Sequence, residues 1–194
     1  MDQLSLILAS SSPRRRQLLT AAGYEFTVIP PSEAAEGDPP EMGVPPQHVV
    51  ARLAFQKAQD VAKRIERGIV IGCDTVAECE GQILGKPANR DHARQMLGLL
   101  RGREHRVYSG LCLWRRPDEE RRIQIDVTRL VMDPISDLDL DRYLASGQWE
   151  GKAGAFGYQD GLDWVHVIEG SESNVVGLPM ELLANMLAGL AREV

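Results

Sequence analysis

The stretch Leu4-Ser5-Leu6-Ile7-Leu8-Ala9-Ser10-Ser11-Ser12-Pro13 decides the fold, because an apolar run changes abruptly into a polar helix start. Leu4 to Ala9 has the length and composition of a buried β-strand. Ser12 is a favourable N-cap residue, and Pro13 suits the first position of a helix. The sequence therefore predicts a strand that leads directly into a short helix over Arg14 to Ala22.

Strands and helices continue to alternate along the chain, which indicates an α/β protein with a mixed sheet flanked by helices. Up to Leu84 the pattern predicts a strand over Tyr24 to Ile29, a loop between Pro30 and Pro46, a helix over Gln47 to Arg67 ended by Gly68, a strand over Ile69 to Gly72 that stops at Asp74-Thr75, and a hairpin over Val76 to Leu84. After Leu84 it predicts a helix from Asn89 to Leu100, strands over His105 to Trp114 and Arg121 to Met132, a helix from Ser136 to Ser146, a strand over Trp164 to Ile168, and a helix over Pro179 to Arg192. We expect residues 1–194 to form a single domain.

The net charge restricts the kinds of partner. The 194 residues carry a formal charge of −6, whereas a broad nucleic-acid surface needs many phosphate-neutralising Lys and Arg residues. We therefore expect no nucleic-acid partner. A small anionic substrate is compatible with an acidic protein if cations cluster in a cleft, where walls of low dielectric constant focus their field.

The cysteines and the hydropathy favour a cytoplasmic protein. Cys73, Cys79 and Cys112 form no C-x-x-C pair, and their odd number gives no closed disulfide framework. Reduced thiols fit the cytosol. The apolar stretch near the N-terminus is shorter than the core of a signal peptide, and no segment approaches the roughly 20 apolar residues of a membrane span. We expect no membrane partner.

The predicted strand–helix junction has the composition of a phosphate site. Backbone N–H groups, hydroxyl groups and the positive end of a helix converge at such a junction. Arg14, Arg15 and Arg16 add guanidinium groups, which bind phosphate oxygens in a bidentate manner. A simple helix cap followed by solvated charges would give the same pattern.

Polar residues after the predicted strand over Ile69 to Gly72 form a second candidate site. Asp74 and Thr75 lie where open α/β sheets place their ligands, so the carboxylate could hold Mg²⁺ or Mn²⁺ or accept a proton from a water. Lys86 stands between a glycine and a proline, which restrict its position and make it a candidate phosphate ligand. Ordinary turn residues would give the same pattern.

A Gly-rich segment, Gly151 to Gly161, is the third candidate. Glycines let the backbone approach a ligand closely, and the amide of Gln159 could pair with the edge of a nucleobase through its donor and acceptor. A flexible connector would have a similar composition. The four histidines show no metal-ligand spacing.

Seven motifs that occur in order resemble the signatures of the Maf family of nucleotide pyrophosphatases. The resemblance extends over nearly the whole chain. The motifs are Leu8-Ala9-Ser10-Ser11-Ser12-Pro13-Arg14-Arg15, Arg52-Leu53-Ala54-Phe55-Gln56-Lys57-Ala58, Gly72-Cys73-Asp74-Thr75-Val76, Gly85-Lys86-Pro87, Tyr108-Ser109-Gly110, Trp149-Glu150-Gly151-Lys152-Ala153-Gly154-Ala155-Phe156-Gly157-Tyr158-Gln159 and Asn174-Val175-Val176-Gly177-Leu178-Pro179.

The resemblance implies two lobes around a deep cleft, a divalent cation (Mg²⁺ or Mn²⁺) and commonly a homodimer. Asp74 corresponds to the catalytic proton acceptor of the family, and Lys57 and Lys86 match positions in its active-site cleft. The residues expected to bind substrate are Ser10, Arg14, Arg15, Thr75 and Gln159. We expect Arg15 and both lysines to neutralise a triphosphate while Asp74 deprotonates the water that attacks the α-phosphorus.

Three positions are tied to substrate choice in the family. Arg14, Thr75 and Gln159 are similar to the branch that hydrolyses dTTP and UTP to the monophosphate and diphosphate, and we expect hydrogen bonds from Gln159 and Thr75 to the pyrimidine. The alternatives are hydrolysis of 7-methyl-GTP or another modified nucleotide, or a nucleotide-binding regulator of cell division and septum formation.

The chain departs from the family pattern at two places. The usual acidic pair is altered to Glu33-Ala34-Ala35-Glu36-Gly37-Asp38, so either Glu33 or Glu36 could join Asp74 as a metal ligand, and Glu36 is the one we assign. Asp160 replaces the usual glycine after Gln159, and this extra charge could change the nucleotide preference.

Overall fold

One mixed sheet of seven strands forms the centre of the computed structural model, which describes residues 4–37 and 43–191. The strands are β1 (Leu6–Ala9), β2 (Phe26–Val28), β3 (Gly68–Cys79), β4 (Gln82–Leu84), β5 (Glu104–Arg116), β6 (Glu120–Met132) and β7 (Val165–Glu169). Their order is β2-β1-β3-β5-β6-β7, with β4 beside β3. Strand β1 runs parallel to β2 and β3, and the other pairings are antiparallel.

Helices lie on both faces of this sheet, which confirms the predicted mixed α/β class. They are α1 (Pro13–Ala21), α2 (Glu33–Glu36), α3 (Pro46–Ala62), α4 (Arg90–Leu100), α5 (Asp137–Ala145), α6 (Glu172–Val176) and α7 (Met180–Ala191). Single turns of 3-10 helix cover Ala153–Ala155 and Tyr158–Asp160. Within the described ranges, none of the helices combines the length and the apolar character needed to cross a membrane.

The long strands β3, β5 and β6 run through two lobes. In the first lobe, α3 packs Ala54 and Val61 on one face of the sheet, while α1 and α7 pack Leu19 and Leu183 on the other. In the second lobe, α4 and α5 bury apolar side chains such as Leu97 against the opposite ends of the same strands, together with β4, β7 and the 3-10 turns.

Helix α3 lies unusually close to the sheet because two glycines face it. A Cβ added to Gly72 in β3 would come well within 3.0 Å of the carbonyl oxygen of Ala54, and one added to Gly110 in β5 would do the same at Val50. Such distances are sterically forbidden for real side chains. The two glycines therefore allow the backbone of α3 to rest directly on the centre of the sheet.

Strand β3 is longer than predicted: the sequence predicted an end at Asp74-Thr75, and this end was wrong. It continues to Cys79, and Asp74 and Thr75 stay in the ladder opposite Gly110 and Ser109. Polar side chains do not end a strand when the backbone pairing continues and the side chains have polar surroundings. On the other edge of β3, β1 pairs as far as Gly72 and β4 pairs from Ala77 onwards, which leaves residues 73–76 between them.

The long helix is shorter than predicted, and two short helices were not predicted. Helix α3 ends at Ala62 rather than Arg67, and Gly68 begins β3 with a φ of +139° instead of ending the helix. The predicted loop between Pro30 and Pro46 contains α2, whose Ala35 is buried and which packs against α3. The sequence also gave no signal for α6. Residues 38–42 of that loop, including Asp38, and Arg192 at the predicted end of α7 lie outside the described residues.

Other local predictions are confirmed. The Asn89 side chain accepts a hydrogen bond from the backbone N–H of His92 at 2.9 Å and so caps α4. Strands β3 and β4 form the predicted hairpin, with Glu80 and Gly81 both at positive φ. The Ser136 hydroxyl accepts from the N–H of Asp139 at the start of α5.

The close approach of α3 to β5 predicts the effect of a single methyl group. Gly110→Ala should destabilise the protein by about 1–3 kcal/mol, because the new Cβ cannot fit beside Val50 without moving α3. The matched control is Gly98→Ala in α4, where an added Cβ meets open space and alanine favours the helix by about 1 kcal/mol. Urea unfolding of both variants tests this. The packing described would be contradicted if Gly110→Ala had the same free energy of unfolding as Gly98→Ala, or a higher one.

Candidate active site

A cleft of about 310 Å³ lies between the two lobes, beside the part of β3 that faces neither β1 nor β4. The cleft is lined by residues of α1, α2, α3, α6 and β3 and of the turn between β1 and α1. The second lobe adds the loop after β4 and the Gly-rich segment. Every residue that the sequence predicted for the site lines it: Ser10, Arg14, Arg15, Glu36, Lys57, Asp74, Thr75, Lys86 and Gln159.

Lys57 joins two carboxylates at one wall of the cleft. Its ammonium nitrogen lies 2.7 Å from Oδ1 of Asp74 and 2.8 Å from Oε2 of Glu36. Lys57 is 4% exposed, and burying its charge away from water costs free energy. The two carboxylates offset this cost because each forms an ion pair with the ammonium group. Burial raises the pKa of Glu36, but the hydrogen bond and charge of Lys57, together with the charges of Lys86 and Arg15, outweigh this and leave that pKa below its usual value.

The structure distinguishes the two acidic candidates before α3. Glu36 at the end of α2 lines the cleft and binds Lys57. Glu33, at the start of the same helix, is exposed and does not line the cleft. Of the two acidic residues, Glu36 is therefore the one that is connected to Asp74, because both carboxylates form an ion pair with Lys57.

Arg15 is the centre of a second polar network, on the other side of β3. Its guanidinium donates to the carbonyl oxygen of Gly177 at 2.7 Å, to Oγ of Ser10 at 3.2 Å and to Oγ1 of Thr75 at 3.3 Å. Thr75 is also 2.8 Å from the hydroxyl of Ser109. Because three acceptors hold it, this buried guanidinium has a fixed position before any anion binds.

The turn between β1 and α1 departs in one detail from the predicted cap. Ser12 occupies the N-cap position, but its side chain makes no capping hydrogen bond, and its backbone N–H instead donates to Oγ of Ser10 at 3.2 Å. The Ser10 hydroxyl thus accepts from both Ser12 and Arg15, and within residues 4–37 and 43–191 it donates its own hydrogen to no acceptor, so that this hydrogen can bind a ligand.

The three consecutive arginines do not act as one group. Arg14 and Arg15 line the cleft, whereas Arg16 is exposed and does not, because each residue of a helix is turned by about 100° from the one before it. Arg14 donates to the carbonyl oxygen of Gly151 at 2.9 Å and so connects the first lobe to the second. Burial and the neighbouring charge of Arg15 both lower the pKa of Arg14.

The second lobe contributes two loops to the cleft. Lys86 lies on the loop after β4, and the carbonyl oxygen of Gly85 accepts a hydrogen bond from the N–H of Gly154 at 3.1 Å. This bond ties the lysine loop to the Gly-rich segment. Gln159 lies in the 3-10 turn Tyr158–Asp160 of that segment, with an exposed side chain at the cleft.

Lys152 and Gly177 line the cleft but were not among the predicted site residues. Lys152 lines it and forms a buried ion pair with Asp160. A lysine directly after Gly151 in a Gly-rich segment, comparable to Lys86 between glycine and proline, was the available signal. Gly177 supplies the carbonyl oxygen that holds Arg15, at a φ of +123°, and no pattern in the sequence shows that a backbone carbonyl has this role.

Two carboxylates of the cleft, Asp74 and Glu36, are candidate ligands for a metal ion. In the portions of the chain that the structure describes, no three His, Cys, Asp or Glu side chains are grouped to hold a metal ion. Asp74 and Glu36 share one lysine, so this group of three keeps a net negative charge. Mg²⁺ is commonly bound by one or two carboxylates plus substrate phosphates, and the donor set of the cleft fits that arrangement.

A model of the family described as Maf-like protein matches residues 5–190. The chain belongs to this family.

Several Maf-like relatives are similar over most of their length. The dTTP/UTP pyrophosphatase of Rhodopirellula baltica is 58% identical over 184 residues, which are 94% of this chain and 81% of the relative. That of Dictyoglomus thermophilum is 39% identical over 183 residues, 94% of each chain. The match to the solved structure of the Staphylococcus aureus Ham1 protein covers 67% of this chain and 72% of that protein, at a TM-score of 0.46 and 16% identity.

Proposed function

We propose that this Maf-like protein hydrolyses nucleoside triphosphates, dTTP and UTP in particular, to the monophosphate and diphosphate. One observation carries the proposal: a single cleft holds a carboxylate, Asp74, beside the cations Arg15, Lys57 and Lys86. The Rhodopirellula and Dictyoglomus relatives, named dTTP/UTP pyrophosphatases, support the choice of substrate.

The triphosphate binds between the two lobes in this proposal. Arg15 is already fixed by three acceptors, so it meets the phosphates without losing side-chain entropy. Ser10 donates its free hydroxyl hydrogen to a phosphate oxygen. Lys86, which makes no ion pair with residues 4–37 or 43–191, approaches from the second lobe and adds its full positive charge.

Asp74 accepts the proton from the attacking water. The water oxygen bonds to the α-phosphorus as the bond from that phosphorus to the bridging oxygen breaks, and the electron pair leaves with the diphosphate. Lys57 holds Oδ1 of Asp74 at 2.7 Å and so orients the carboxylate for this transfer. Positioning and charge supply most of the catalysis in reactions of this kind.

Asp74 and Glu36 would hold a divalent cation, Mg²⁺ or Mn²⁺, together with phosphate oxygens of the substrate. A bound divalent cation supplies neutralisation of phosphate charge during such a reaction. The residues of this chain contribute the two carboxylates and the lysine that fixes their positions.

Arg14, Thr75 and Gln159 select the base. The amide of Gln159 offers a donor and an acceptor to the polar edge of a pyrimidine. A site that pairs its polar groups with the substrate rejects analogues that leave those groups unpaired. Thr75 also helps to position Arg15, because its hydroxyl oxygen accepts a hydrogen bond from the guanidinium group.

The role of Asp74 gives a direct mutational prediction. Asp74→Asn should lower kcat by about 10²-fold to 10⁴-fold, because the amide cannot accept the proton, while the fold is retained. Asp133→Asn is the matched control, since Asp133 pairs with His166 outside the cleft and should keep full activity. Diphosphate release and thermal melting of both variants provide the measurement. A folded, fully active Asp74→Asn enzyme would exclude the proposed base.

The substrate and metal proposals are tested together by diphosphate release from a nucleotide panel. With Mg²⁺ or Mn²⁺, dTTP and UTP should be cleaved faster than CTP, dGTP and 7-methyl-GTP, and excess EDTA should abolish turnover. A preference for 7-methyl-GTP would refute the choice of base only. Binding of nucleotides without any turnover would refute the enzyme and favour a nucleotide-binding regulator.

We further infer that the whole chain acts as one Maf-like domain, as a homodimer in the cytoplasm. Family resemblance supports the dimer, and three buried, unpaired cysteines suit a reducing compartment. Sedimentation equilibrium should give twice the mass of one chain, and cell fractionation should recover the enzyme with cytoplasmic markers. A monomer at micromolar concentration would contradict the assembly.

A further inference from the structure

The Lys152–Asp160 ion pair closes the segment that carries Gln159. Both side chains are largely buried, at 10% and 18% exposure, and the ammonium group contacts Oδ2 of Asp160. Lys152 precedes the first 3-10 turn of the segment and Asp160 ends the second, so the pair joins the two ends of this short stretch.

Gly157 allows this pair to form. A Cβ added to Gly157 would come well within 3.0 Å of both the Lys152 nitrogen and the Asp160 carboxylate, so the ion pair rests against the bare backbone of this residue. The N–H of Asp160 also donates to the carbonyl oxygen of Gly157 at 3.0 Å. The turn that carries Gln159 is therefore compact, and the ion pair packed against Gly157 stabilises it.

Each flank of Gln159 has its own anchor. On one side, the Tyr158 hydroxyl donates to Oε1 of Glu172 in α6 at 2.8 Å. On the other side, Asp160 is fixed by Lys152. Of these three consecutive residues, Gln159 is the one whose side chain is exposed at the cleft.

The charges separate Lys152 from the phosphate-binding cations. Asp160 neutralises Lys152 directly, whereas Lys86 makes no ion pair within the described ranges. A neutralised, buried lysine contributes little attraction to a triphosphate, but it holds its partner in one place. The backbone next to Lys152 is held as well, because Arg14 binds the carbonyl oxygen of Gly151.

We propose that the Lys152–Asp160 ion pair positions Gln159 and thereby sets the preference of the cleft for thymine and uracil over cytosine. Lys152 and Asp160 are positioning residues in this account, and the account rests on the proposed pyrophosphatase function. A residue without a side-chain carboxylate at position 160 could not form this constraint on Gln159.

Variants of the pair in the full-length protein test this, with dTTP and dCTP as substrates. Asp160→Asn should raise KM for dTTP by about 10-fold to 10²-fold with kcat largely kept, and lower the dTTP-to-dCTP ratio of kcat/KM towards that of Gln159→Ala. Lys152→Met should have the same effect, and the double variant should add nothing further. Asp160→Glu, which keeps the charge, should restore selectivity.

Two controls separate positioning from a general loss of structure. In a Gln159→Ala background, Asp160→Asn should leave the dTTP-to-dCTP ratio unchanged, because the residue that it positions is absent. Asp137→Asn removes the ion pair with Arg101 outside the cleft and should leave both KM and selectivity as in the parent. Thermal melting shows whether each variant is folded.

The proposal is overturned if Lys152→Met lowers kcat/KM equally for both nucleotides while Asp160→Asn has no effect, since Lys152 would then contact the triphosphate itself. It is equally overturned if selectivity is unchanged in both variants. Binding of the α,β-imido analogues of dTTP and dCTP gives the same comparison without turnover. An inactive parent protein that still binds the dTTP analogue selectively would therefore refute the hydrolysis and not the positioning.

Discussion

The arrangement of the cleft depends on how closely α3 lies on the sheet. The helix rests on Gly72 of β3 and Gly110 of β5, where side chains would hold it away. Lys57 lies about one helical turn beyond Ala54, so this close contact places its ammonium nitrogen 2.7 Å from Oδ1 of Asp74. A hydrogen bond between a helix and a strand tolerates little displacement, because its energy falls steeply with distance and angle. Two absent side chains in the sheet thus determine where a buried cation lies.

The electrostatics of the cleft follow from this placement. Lys57 forms ion pairs with two carboxylates, and Lys152 forms one with Asp160. Each of these buried ammonium groups therefore has a compensating negative charge. Arg15 is held instead by neutral oxygens, of which the nearest is the carbonyl of Gly177 at 2.7 Å. Neutral acceptors fix a guanidinium without cancelling its charge. An acidic chain can in this way present a positive surface at one place, which its net charge of −6 does not show.

Most of the fold could be predicted from the sequence, and so could nine of the residues that line the cleft. The features that could not be predicted have a common cause. Apolar periodicity and helix caps identified β1, α4 and α5, because those signals are local. The continuation of β3 through Asp74 could not be predicted, since its partner Gly110 lies in a distant strand. The role of Gly177 and the pairing of Lys152 with Asp160 depend likewise on tertiary contacts. Local chemistry identified candidate residues, but it did not show which backbone groups hold them.

The uninterrupted strand β3 has a mechanical consequence. Strands β3, β5 and β6 belong to both lobes, so no flexible linker separates the two halves of the cleft. Asp74 and Thr75 lie midway along β3 and pair with β5, whereas Lys86 and Gln159 lie on loops or single turns outside the strands. Backbone pairing therefore fixes Asp74 relative to both lobes at once, so the carboxylate is the common reference point from which the loops of each lobe are placed.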